Sequence, residues 1–218
     1  MAENRGVPEQ STEQASGAAL TAYSSPETVK AVALVLPGGK ADSFETAAPR
    51  QLTAVRMRPF AKRLARAGAA RGLAVAMLRY RYRGWNGEEA SPAADARWAL
   101  ETIRETHGGI PVVLVGHSMG GRTSLRVADD PSVVGVVALA PWLPADEPVQ
   151  HLGGVRALIA HGNLDFVTSP RASRRFARRA KAVGADISYH LVHGDNHAML
   201  LRPHRWHSLT TRTAMSYL

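Results

Sequence analysis

Pro111-Val112-Val113-Leu114-Val115-Gly116-His117-Ser118-Met119-Gly120-Gly121-Arg122 is the stretch of this 218-residue chain on which the reading of its fold turns. The apolar, β-branched run at 111–115 reads as a buried strand, and the segment from Met119 onward reads as a helix. Between them, Gly116-His117-Ser118-Met119-Gly120 sets glycines two residues either side of a serine. A strand-to-helix turn that tight leaves no room for larger side chains at the flanking positions, and it lifts the serine hydroxyl clear of the backbone. Ser118 is therefore a candidate nucleophile.

Outward from this turn the same strand-then-helix order repeats. Strand-like runs at 29–36, 73–80, 112–115, 133–139, 155–160 and 187–192 alternate with helical patterns at about 51–70, 93–106, 119–129, 169–183 and 204–217. Repeated β-then-α order predicts an α/β domain whose largely parallel sheet is covered by helices on both faces, with its site at the carboxyl ends of the strands. Ser118, the turn Gly38-Gly39, Asp165 and His197 each follow a different run, so all four should meet at that edge. Residues 1–26 are polar, lack the basic start and apolar core of a secretion signal, and read as a flexible leader before a domain at 27–218. Within it, 18–23 offers a short extra edge strand.

Composition narrows the function classes. With 45% hydrophobic and 21% charged residues the chain reads as globular. No run of 18 apolar residues occurs, so membrane insertion is not expected and the cytoplasm is the expected location. The absence of cysteine excludes disulfides and thiol chemistry. A net charge of +9 could attract polyanions, and Arg171, Arg174, Arg175, Arg178, Arg179 and Lys181 form its densest cluster. Ala172, Phe176, Ala180 and Val183 keep helical spacing among them, which turns most of the arginines toward solvent. No aromatic platform or nucleic-acid motif accompanies them, so nucleic acid is not an expected partner.

A serine hydroxyl attacks an acyl carbon at neutral pH only when a base accepts its proton. His197 is the preferred base, because four residues beyond the rival His193 carry it out on a loop. His117 suits a packing role inside the turn, and His161 a hydrogen-bonded structural one. The base in turn needs a carboxylate to hold its tautomer. Asp165, in the turn begun by His161-Gly162, is preferred over Asp146 and over Asp195, which is better placed to shape the loop of His197. Asp95 reads as a carboxylate complementing the dipole of the helix at 92–106.

The motifs Gly116-His117-Ser118-Met119-Gly120-Gly121, His161-Gly162-Asn163-Leu164-Asp165 and Gly194-Asp195-Asn196-His197, in that order, resemble the α/β-hydrolase superfamily from about residue 29 onward. Within it the chain is most similar to small bacterial serine esterases of the dienelactone-hydrolase type. The resemblance implies a sheet of about six to seven strands and a Ser118, Asp165, His197 triad acting on a small-molecule acyl ester. It also implies an oxyanion hole built from the backbone N–H of Met119 and of Gly39, with Lys40 next in line and Pro37 where the family usually has histidine. Relatives often insert a cap after the fourth of these runs. Here only 141–154, fourteen residues, is available, so no cap domain is expected. Trp142 and Phe166 are candidates for an apolar substrate wall. No metal-ligand spacing or nucleotide fingerprint is present, so no metal or cofactor is expected. The competing reading is a non-catalytic ligand-binding protein that retains the fold.

Overall fold

The computed structural model describes residues 11–13 and 17–218. Eight strands form one sheet: β1 (Ser11–Glu13), β2 (Ala19–Ser24), β3 (Ala31–Leu36), β4 (Leu73–Arg79), β5 (Val112–His117), β6 (Val133–Leu139), β7 (Arg156–Gly162) and β8 (Asp186–Val192). Their spatial order is β1-β2-β4-β3-β5-β6-β7-β8. From β4 to β8 all pairings are parallel, while β1 and β2 pair antiparallel at one edge. The helices are α1 (Leu52–Gly68), α2 (Ser91–His107), α3 (Met119–Arg126), α4 (Pro170–Ala182) and α5 (Pro203–Tyr217).

The expected α/β architecture holds, with two corrections at the start of the chain. The sheet has eight strands rather than six or seven. Ser11–Glu13 and Ala19–Ser24 belong to it, so 1–26 is not a leader throughout; residues 1–10 and 14–16 lie outside the described residues. β2 is the edge strand that 18–23 offered; it is interrupted by a bulge between Ala22 and Ser24 and buries only its first residues fully.

The central strands are near-continuous apolar runs because helices cover both their faces. In β3 the period of two divides the residues: Val32, Leu34 and Leu36 pack with Ala99 and Leu100 of α2, Leu125 of α3 and Phe176 of α4. Ala31, Ala33 and Val35 pack on the other side with Phe60 and Leu64 of α1 and Trp206 of α5. Between β6 and β7 runs only a loop with one short 3-10 turn, Gln150–Leu152, and no cap domain. No helix among the described residues is long and apolar enough to cross a membrane.

The chain turns left from β3 to β4 and then crosses back to lay β5 on the other side of β3. Such a reversal opens a crevice at the carboxyl ends of the two diverging strands. There β5 passes into α3 at the serine turn, and the glycines are required by contact. A Cβ on Gly120 would stand 2.0 Å from the carbonyl oxygen of Leu36, and one on Gly116 would stand 2.1 Å from that of Gly120. Gly120→Ala is expected to destabilise the protein by about 3 kcal/mol or more. Gly109→Ala, where a Cβ meets nothing within 4 Å, should stay within about 1 kcal/mol of the parent. Urea unfolding of the two variants makes the comparison.

Candidate active site

Ser118 occupies the one-residue turn between β5 and α3 with φ 55° and ψ −117°, a conformation that an L-residue holds only under outside constraint. Three hydrogen bonds supply that constraint. Its N–H donates to Leu139 O at 2.9 Å, and its carbonyl accepts from the N–H groups of Arg122 and Trp142, both at 3.1 Å. The hydroxyl is thereby aimed at His197, whose Nε2 accepts from Ser118 Oγ at 3.1 Å. The other ring nitrogen, Nδ1–H, donates to Asp165 Oδ2 at 2.8 Å. The structure thus brings Ser118, His197 and Asp165 into one hydrogen-bonded chain.

Asp165 accepts more donors than any other carboxylate at this edge. Oδ1 takes the N–H groups of Val167 at 2.8 Å and Thr168 at 2.9 Å, which closes an Asx turn. Oδ2 takes His197, His161 Nε2–H at 3.1 Å and the Thr168 hydroxyl at 2.9 Å. Burial by itself would raise this carboxyl, but the hydrogen bonds from His161, His197 and Thr168 outweigh it and hold the group well below the usual carboxylate range. It is therefore ionised at neutral pH, the state in which it can fix the tautomer of His197. His161 is the structural residue expected of it, with Ser173 Oγ 2.9 Å from its Nδ1. Thr168 was not legible as a site residue; the Asp-x-x-Thr spacing of an Asx turn is the signal that could have found it.

The base loop is shaped by Asp195, as its position suggested. Fully buried, it accepts from Arg202 N–H at 2.8 Å and from Trp206 Nε1–H at 2.9 Å through Oδ2, and from Asn196 N–H at 2.8 Å through Oδ1. Its backbone oxygen accepts from Leu164 N–H at 3.0 Å and would lie 2.4 Å from a Cβ on Gly162. The acid and base loops are thus interlocked. His193 is exposed, and Asp146 is exposed on the β6–β7 loop. Asp95 is corrected: it lies in the second turn of α2 and is buried against Arg81, taking that residue's N–H at 2.9 Å and its Nε at 2.5 Å. It anchors the chain after β4 rather than complementing a dipole.

Gly38 and Gly39 stand beside the serine turn. A Cβ on Gly38 would lie 3.2 Å from Ser118 Cβ, and one on Gly39 would lie 2.4 Å from Arg83 O and 2.5 Å from Met119 Cε. Lys40 N–H is already bonded to Arg83 O at 2.8 Å. Met119 N–H belongs to the first turn of α3, where helical geometry leaves amides without intrahelical partners. Trp142 and Phe166 are not brought into one wall. Trp142 is half-buried, 6.5 Å from Trp85 and 4.6 Å from the Arg122 guanidinium, which also stacks on Trp85 at 3.7 Å. Glu147 ties this cluster to α3 by accepting from Arg122 Nε at 2.5 Å and Arg126 Nε at 2.8 Å. Phe166 is 93% exposed at the tip of the acid loop and lines a separate cleft.

A sequence profile described as the alpha/beta hydrolase family matches residues 33–171, well over half of the chain. The chain belongs to that family. A search of curated proteins finds no match. Among solved structures, a serine hydrolase homologue from Coxiella burnetii superposes with a TM-score of 0.69 at 17% identity, covering 97% of this chain and 99% of its own. A serine hydrolase without a lid from Xanthomonas campestris gives 0.67 at 17% identity, with 96% and 94% covered. A thermophilic esterase from Thermogutta terrifontis gives 0.70 at 16% identity, with 96% and 91% covered. At such identities the likeness is one of fold.

Within this family member, His117 is buried beside the His197 ring, with the two ring centroids 4.8 Å apart. Its Nε2–H donates to His197 O at 3.0 Å, and its Nδ1 has no partner. Burial, reinforced by the neighbouring His197, pushes its pKa from 6.5 down to about 3. Above pH 6.5 the ring is neutral in folded and unfolded chains alike. Between pH 6.5 and about 3 only the unfolded chain takes the proton, so stability is lost as the pH falls through that window. His117→Gln should remove about one proton's worth of slope from the dependence of unfolding free energy on pH in that range. Urea titrations at a series of pH values measure it.

Proposed function

We propose that this protein is a serine hydrolase that cleaves carboxylic esters through an acyl-serine intermediate. The observation that carries the reading is the unbroken chain from Ser118 Oγ to His197 Nε2 at 3.1 Å and from His197 Nδ1 to Asp165 Oδ2 at 2.8 Å. It assigns the serine as nucleophile, the imidazole as general base and then acid, and the carboxylate as the group that orients it. As Ser118 Oγ bonds to the acyl carbon, its proton passes to His197 Nε2 and the carbonyl oxygen becomes an oxyanion. The backbone N–H groups of Met119 and Gly39 are the proposed donors to that oxygen, and the commitment of Lys40 N–H to Arg83 O favours Gly39 over Lys40.

Collapse of the adduct breaks the bond to the alcohol oxygen, which leaves with the proton from His197. Water then attacks the acyl-serine, His197 takes one of its protons, and the carboxylic acid departs as Ser118 recovers its hydrogen. Asp165 stays ionised throughout and stabilises the imidazolium. Among the described residues no cap domain stands above Ser118, so substrate reaches the serine without movement of one.

A fluorophosphonate probe is expected to add covalently to Ser118, read by intact mass, and not to add to Ser118→Ala. With a p-nitrophenyl ester as substrate, Ser118→Ala and His197→Ala should each lower kcat by at least ~10³-fold, and Asp165→Asn somewhat less. Double variants should be little worse than single ones, because the groups act as a unit. His193→Ala should retain near-parental rates. Failure of the folded parent to label would favour a binding protein that merely keeps the fold.

A further inference from the structure

Eight large apolar side chains are exposed among the described residues, and all of them lie at the carboxyl edge of the sheet that carries Ser118. None lies at the opposite edge. Five dominate: Phe166 and Val167 in the acid loop, Leu200 and Leu201 in the base loop, and Leu52 at the start of α1, with relative exposures of 93%, 73%, 64%, 61% and 80%. The base loop touches its neighbours on both sides. Leu164 N–H bonds Asp195 O, and the Arg56 guanidinium on α1 donates to Ala198 O, so residues from three elements form one apolar fringe.

Around the acid and base loops the exposed charge has one sign. Between residues 163 and 181 the only side-chain carboxylate is Asp165, and between 193 and 218 it is Asp195. Both are buried and consumed by internal hydrogen bonds. The same stretches expose Arg171, Arg174 and Arg175 in the first turns of α4, and Arg202 and Arg205 at the start of α5. The exposed acids of this edge stand elsewhere, in the loops after β3, β4 and β6, and Glu45 among them is paired with Lys40 and Arg83.

We propose that the edge formed by the acid and base loops adsorbs to an anionic lipid surface, with the apolar tips entering the layer and the arginines meeting its headgroups. Adsorption through loop tips is distinct from spanning, for which no helix among the described residues is long and apolar enough. Three partners would cover apolar tips, and charge and shape select among them. A second copy of the chain would bring like-charged arginines together. An acidic protein would satisfy the arginines but must offer fitted pockets to side chains projecting from separate loops. A fluid layer accepts each tip independently, and anionic headgroups attract nearby Arg side chains. If Ser118 acts as proposed above, esters held in that layer are presented to it directly; the adsorption itself does not depend on that reading.

Cosedimentation of the full chain with phosphatidylcholine vesicles containing about 30% phosphatidylglycerol, against pure phosphatidylcholine vesicles, tests the proposal. Binding to the anionic vesicles should exceed that to the neutral ones at least ~10-fold and fall sharply at about 0.5 M salt. The pair Leu200→Ser with Leu201→Ser and the pair Arg174→Glu with Arg175→Glu should each reduce it at least ~10-fold while keeping the parental melting temperature. Ser118→Ala should bind as the parent does, whereas a parent chain that adsorbs but neither hydrolyses ester nor labels with fluorophosphonate would overturn the catalytic reading alone. Absence of binding to anionic vesicles, equal binding to both kinds, or full binding by the leucine pair would overturn the proposal. Retention on polyglutamate without binding to vesicles would do so too, and would assign the face to an acidic protein.

Discussion

The approach of the Gly120 backbone to the carbonyl of Leu36 governs the geometry of this molecule. At 2.0 Å from where a Cβ would stand, the end of β3 and the start of α3 are as close as two backbones can come. That contact sets α3 against the end of β3, and Ser118, between β5 and α3, takes a positive φ. A residue held in such a state costs on the order of 1–3 kcal/mol, which the surrounding packing must outweigh. The hydrogen bonds from Trp142 and Arg122 to the Ser118 carbonyl do so locally, and the apolar burial of β3 and β5 on both faces does so globally.

The other half of the site is held by electrostatics. Asp165 collects donors from two histidines, a threonine and two backbone amides, and each favours its ionised form. The ring of His197 is trapped between that charge and Ser118, so the nitrogen facing the serine is the one without a proton. Asp195 performs the same kind of service one layer out, with its carboxylate spent on backbone amides and an indole instead of on a titrating ring. Two neighbouring aspartates therefore divide the work: one bonds the ring of His197, and the other shapes the loop that carries that ring.

Much of this was legible in the sequence, because the signals were local. The runs of β3 to β8 are apolar on both faces and stand out against amphipathic helices. The Gly-x-Ser-x-Gly turn, Asp165 and His197 are fixed by which strand each follows. Of the antiparallel edge, β2 was foreshadowed by the run at 18–23, while the three-residue β1 was not legible, because it is too short to show a period. Asp95 was misread because its partner Arg81 lies fourteen residues upstream on another element. The stacking of Arg122 between Trp85 and Trp142 depends on segments meeting in space, where no periodicity in the chain announces the contact, whereas Thr168 sits three residues from Asp165 in one Asx turn whose local spacing was overlooked.

The indole of Trp206 has a consequence for how the protein is made. It lies on α5, which follows every strand of the sheet in the chain, and its N–H holds the carboxylate that sets the loop of His197. The strands, the nucleophile turn and the acid are all synthesised earlier. A nascent chain can therefore assemble its sheet and expose a serine in the correct geometry while the base loop still lacks its anchor. On the proposed mechanism, the loop that carries His197 takes its final shape only once α5 has docked, after every strand of the sheet has been made.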